Sequence, residues 1–204
     1  MRNKYTFKKQ FAIVLSLLLS VMWCQNSYAH IAPGMKGDFT AGFFHPITGL
    51  DHILAMLSIG IWGAVLGRPA LWLLPVAFPL MMSFGAVWGI LGLPLHYVEQ
   101  GIDVSVIVLG LVIALNFKPP LAVAFFIVSF FAFFHGYAHG HEMPGYANAI
   151  GFSSGFVVAT GLLHLCGIGI GCVRQIPQGE RILRTAGAGI TGTGILLLFQ
   201  LIKV

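Results

Sequence analysis

The segment His135-Gly136-Tyr137-Ala138-His139-Gly140-His141-Glu142 gathers three imidazoles and a carboxylate at the end of an apolar run that begins near Leu121. A second group, His45-Pro46-Ile47-Thr48-Gly49-Leu50-Asp51-His52, opens another apolar run. Imidazole with carboxylate is a ligand set for borderline divalent metals such as nickel, cobalt or zinc. Ionisable side chains are expensive inside a bilayer, and where they occur there they mark a substrate or ion pathway. The chemistry these residues point to is the handling of a transition-metal ion.

Spacing sharpens this. His135 and His139 are one helical turn apart and share a face, the arrangement by which a helix chelates one metal. Two histidines at that spacing can also simply hydrogen-bond polar partners, and His141 and Glu142 at the same corner tip the reading to metal. Glu142 also fits an interfacial residue at a helix end. His45 and His52 are expected on one face after two turns, with His52 about 10 Å deeper. Asp51 points about 100° away from His52 and is expected to orient a histidine of a neighbouring helix. The alternative is that Asp51 or Thr48 caps a helix starting there. His96, Glu99 and Asp103 surround the start of a later run as further candidates or plain loop residues. His164 reads as a buried, hydrogen-bonded core residue.

The elements that must carry these groups follow from composition. Of 204 residues, 57% are hydrophobic and only 8% charged, against ~25% charged in a soluble domain, and mean hydropathy is +0.89. This is an all-α, polytopic membrane protein. The net charge of +5 comes from scattered basic residues and does not suggest nucleic acid. Cys24, Cys166 and Cys172 lack zinc-type spacing. Residues 1–29 read as a signal peptide: a basic start, an apolar stretch too short to span, and Ser27-Tyr28-Ala29 as cleavage site. Cleavage would leave His30 first, its amine and imidazole together able to chelate a metal.

Residues 30–204 then form one domain of six spans, near 44–66, 70–92, 98–116, 119–139, 146–172 and 181–202. Gly- and Pro-containing breaks separate them, and the gaps are short enough to make neighbours antiparallel. With the N-terminus outside, Arg68, Lys118, Arg174, Arg181 and Arg184 face the cytoplasm, against Lys36 and Lys203 outside. That bias obeys the positive-inside rule and predicts periplasmic termini in a bacterial inner membrane. Glycine pairs such as Gly85/Gly89, Gly136/Gly140 and Gly151/Gly155 have the spacing that lets helices approach closely, within the bundle or between copies in a homo-oligomer. No GxxxxGK[ST] motif is present, so the chain itself does not use ATP.

At the two histidine motifs the sequence resembles the HupE/UreJ family of nickel/cobalt permeases. The shared pattern is His45-Pro46-x-x-Gly49-x-Asp51-His52-x-Leu54-Ala55-Met56 with Gly60-x-Trp62, and Phe134-His135-Gly136-x-Ala138-His139-Gly140-x-Glu142. The resemblance covers essentially the whole mature chain. It implies secondary uptake of nickel, or cobalt in some members, often supplying hydrogenase or urease, with the metal as transported substrate and no catalytic cofactor. It carries over His45, Asp51, His52, His135, His139 and Glu142. His141 stands at a variable position and rests on its chemistry alone. An intramembrane metal-dependent hydrolase or hydroxylase is the alternative, since such enzymes also gather His and Asp from several helices. A metal sensor or storage subunit is a third reading. Polar groups continuing through the bilayer would favour the permease.

Overall fold

A computed structural model describes residues 39–142 and 149–203, and every element among them is helical. Residues 1–29, read above as a signal peptide, His30 and the Met143-Pro144-Gly145 break lie outside the described residues. A chain this apolar has no water at hand for its backbone groups, and the helix satisfies them within one segment. The elements are α1 (Phe39–Thr48), α2 (Leu50–Leu66), α3 (Ala70–Ile90), α4 (Val98–Ala114), α5 (Leu121–Glu142), α6 (Ala149–Gly171) and α7 (Gly179–Ile202), with a short 3-10 turn at Cys172–Gln175. The breaks fall at the expected Gly and Pro clusters. Gly67 and Gly92 take positive φ of 81° and 65° there, a backbone region that costs glycine little.

α3, α5, α6 and α7 are each long and apolar enough to cross a membrane, and α1 with α2 counts as a fifth span if the bent pair is taken as one. α4 occupies the remaining expected position with 17 residues, a little under the ~20 that span comfortably. Trp72, Leu80, Phe84, Phe126 and Phe199 point outward, while histidines, serines and a threonine are buried. The apolar exterior and polar interior suit a bundle surrounded by lipid.

The first span departs from expectation. Residues 44–66 are not one helix, because α1 and α2 meet at 85° across Gly49. Pro46 lacks the N–H that would bond the Gly42 carbonyl, and Thr48 Oγ1 donates to the His45 carbonyl at 2.7 Å, closing α1. Gly49 is extended (φ −93°, ψ 122°) and α2 starts at Leu50. His45 and His52 therefore do not share a helical face, and the expected 10 Å step in depth does not hold.

Glycines bring the backbones together. A Cβ at Gly136 or Gly140 of α5 would run into the Met82 or Ala86 carbonyl of α3, and one at Gly85 of α3 would meet the Phe133 carbonyl. The two expected glycine pairs thus interlock with each other. In the same way Gly42 of α1 rests on the Phe152 carbonyl of α6, and Gly155 of α6 on the Phe39 carbonyl. These contacts fix where α1, α5 and α6 present their histidines.

Candidate metal-ion site

α1, α2 and α5 deliver His45, His52, His135 and His139 to one place. The ring centroids of His52 lie 4.8 Å from His135 and 4.6 Å from His139, and those of His45 and His139 are 4.7 Å apart. All four residues are buried. The 85° turn at Gly49 makes this convergence: α1 lies against α6 and turns His45 inward, while α2 descends with His52. A cavity of about 200 Å³ between α3 and α6, lined by Met82, Ala86, Phe152 and Phe156, reaches His139.

Each ring is oriented by a neighbour. Asp51 Oδ1 accepts both the His52 backbone N–H and His52 Nδ1, each at 2.8 Å. Asp51 therefore holds its own sequence neighbour, not a histidine of another helix as expected. A Cβ at Gly49 would stand 2.7 Å from that carboxylate oxygen, so this glycine leaves the pair its room. Ser105 of α4 donates its hydroxyl proton to the Ile102 carbonyl at 2.6 Å. Its oxygen, 2.9 Å from His135 Nε2, must then accept from that nitrogen. The hydrogen bond fixes the His135 tautomer and leaves Nδ1 as the lone-pair nitrogen, which is buried and makes no hydrogen bond. By the same logic the Asp51 contact leaves Nε2 of His52 with its lone pair. His45 Nε2 and His139 Nδ1 share a hydrogen bond of 2.9 Å, so His139 turns its other nitrogen, Nε2, away from His45; it is also buried without a hydrogen bond.

Aromatic rings wall the cluster. Phe152 stands 5.6 Å from His45, Phe156 4.4 Å from His139 and Phe78 5.5 Å from His135. Among the described residues no three His, Cys, Asp or Glu side chains stand in a metal-holding arrangement; the imidazoles of His45 with His139 and His52 with His135 pack edge to face.

The other candidates distribute differently. His141 is exposed and stacks on Tyr137, 5.8 Å away, off the cluster. Glu142 ends α5, and its side chain lies outside the described residues, as does His30. His96 is exposed ahead of α4 and Glu99 is exposed in its first turn, whereas Asp103 is buried. Asp103 lies in α4 and is no loop residue. His164 is buried as expected, with the Pro75 carbonyl as the hydrogen-bond acceptor within its reach. Sequence reasoning missed Ser105 and Phe78: a serine or phenylalanine in an apolar helix carries no signal of its own.

A profile of the HupE / UreJ protein family matches residues 17–197. The chain is 43% identical over 173 residues to "Protein HupE" of Rhizobium leguminosarum bv. viciae, an alignment covering 84% of this chain and 91% of that protein. No solved structure matches. With both histidine motifs inside the matched region and brought together by the fold, the chain belongs to the HupE/UreJ family.

Proposed function

We propose that the chain is a permease that takes up nickel, with cobalt as the second candidate substrate, across the bacterial inner membrane. The observation that carries this is the spacing of the three imidazoles. With metal–nitrogen bonds of ~2.1 Å, two imidazoles on one ion place their centroids roughly 4.5–5 Å apart. His52 lies 4.6 and 4.8 Å from its two partners. A small local rearrangement of the three rings would bring His52 Nε2, His135 Nδ1 and His139 Nε2 toward one ion. Asp51, Ser105 and His45 orient those rings, the role that carboxylates and other outer partners take around metal ligands. Asp51 and Asp103 offset the ion's charge.

In this reading the signal peptide is removed, six spans run with both termini periplasmic, and the cluster opens to the periplasm. His30, His96, His141 and Glu142 lie on the approach. A potential that is negative inside favours entry of a divalent ion by about 4.6 kcal/mol per 100 mV, twice the value for one charge. That is enough for uptake without ATP. The delivered metal would serve hydrogenase or urease maturation. Buried polar groups below the cluster, Thr160 and His164, favour a path over a closed hydrolytic site.

The test is accumulation of ⁶³Ni by cells or proteoliposomes. His52→Ala should abolish uptake at limiting nickel while membrane insertion stays normal, because the change only makes α2 more apolar. Full uptake by His52→Ala at normal protein levels would sink the mechanism.

A further inference from the structure

Below the histidine cluster, the face of α6 that walls it continues into the bundle. Phe152 and Phe156 touch His45 and His139. One and two turns further along lie Thr160 and His164, spaced like the phenylalanines at i and i+4. Thr160 is 0% exposed and His164 2%. The Thr160 hydroxyl makes no hydrogen bond. Helical Ser and Thr ordinarily bond back to a carbonyl of the preceding turn, as Ser83, Ser154, Thr185, Thr191 and Thr193 do here. Thr160 does not. Buried polar groups are ordinarily paired, and His164 and Thr160 on one face beside the cluster point to a ligand.

A further acceptor faces them. Pro79 has no N–H to give the Pro75 carbonyl one turn earlier in α3, so that oxygen lacks its helical donor. It lies close enough to the His164 imidazole to accept a hydrogen bond from one ring nitrogen, which leaves the second nitrogen buried without a partner. Phe78, fully buried, links the two levels: its ring centroid is 5.5 Å from His135 and 5.6 Å from His164. His135 and His164 each meet Phe78 and make no ring contact with one another among the described residues, so one ion with bonds of ~2.1 Å does not join them.

We infer that His164, with the Thr160 hydroxyl and the Pro75 carbonyl, forms a second and deeper station for the same divalent ion, with the Phe78 ring set against both it and the upper cluster. The inference rests on the permease reading. An imidazole, a hydroxyl and a carbonyl hold a borderline metal more weakly than three imidazoles. A partly dehydrated ion can therefore leave such a station as readily as it enters.

Two measurements test it. In proteoliposomes, His164→Leu should lower the maximal rate of nickel uptake by about tenfold or more while changing the half-saturating concentration by less than about twofold, a loss confined to a step after entry. An unchanged maximal rate at normal protein incorporation overturns the inference, and so does a loss that appears only in the half-saturating concentration. The second measurement does not depend on transport. With Cys24, Cys166 and Cys172 replaced by Ser, His164→Cys loaded with Co²⁺ should show thiolate-to-cobalt charge-transfer absorption absent from the same background with His164 intact. Folded His164→Cys protein without that band overturns the deep station. If the unaltered protein moves no nickel, the permease reading fails, and the cobalt spectrum still decides whether position 164 meets the metal.

Discussion

Asp51 spends one carboxylate oxygen on two donors of the residue that follows it, the backbone N–H and ring Nδ1 of His52. This fixes the ring plane and the tautomer together. Asp51→Asn keeps an acceptor and removes the charge, so metal affinity should fall by ~10–100-fold. Uptake would then be lost at limiting nickel and recover at high external metal, measured as ⁶³Ni accumulation over a concentration series; loss that persists at high metal would mean that Asp51 does more than orient His52. Much of this level was legible in the chain, because HxxxH and the adjacent Asp-His are chemical signals. Their partners were not. Ser105 lies 30 residues from His135 and His139 lies 94 from His45, and each pairing depends on how two helices are rotated about their axes.

At the scale of elements, the glycines inside the second motif have a purpose separate from metal chemistry. Gly136 and Gly140 alternate with the histidines and let α5 lie directly on the α3 backbone. A side chain at 136 meets a backbone carbonyl, which cannot swing aside. Gly136→Val should therefore destabilise the bundle by about 1–3 kcal/mol, the usual cost of overpacking, and weaken uptake with it. Gly192→Ala in α7, where an added Cβ meets nothing within 4 Å, should leave thermal stability in detergent unchanged. Equal melting of Gly136→Val and the unaltered protein would refute the interlocking role. The helix ends were legible from Gly and Pro, with one exception. The 85° break at Gly49 falls within a stretch that hydropathy reads as one span; Pro46, Thr48 and the extended Gly49 end α1 there, and packing against α6 sets the direction α1 takes.

At the scale of the molecule, basic residues mark one end of the bundle. Arg174 donates to the Val65 carbonyl at 2.7 Å and Arg184 Nε to the Ala114 carbonyl at 2.8 Å. Each thus satisfies a carbonyl in the last turn of α2 or α4, where cations are also favoured by the helix dipole. The same charges give the positive-inside bias, so topology and capping draw on one set of side chains. A cavity of about 240 Å³ at this end is lined by Asn116, Lys118, Arg174, Glu180 and Arg184. If this end is cytoplasmic, the mature N-terminus is exported, and intact-mass measurement of purified protein should give residues 30–204. A mass that retains residues 1–29 would remove the His30 chelate from the entry route.

The sequence by itself determined the environment, the helical class, most helix boundaries and the ligand types, because each follows from local properties: hydropathy along the chain, the missing N–H of proline, and imidazole chemistry. Which ligands meet was decided by tertiary structure alone. Helices that are apolar nearly all round carry little amphipathic signal of the face they turn inward, so the chain could not say that His141 stacks on Tyr137 away from the cluster while Asp103 is buried within α4. Close backbone packing at Gly42, Gly136 and Gly155 sets those rotations. It sets Phe78 against both His135 and His164, a relation between side chains on three helices that no spacing along one of them encodes.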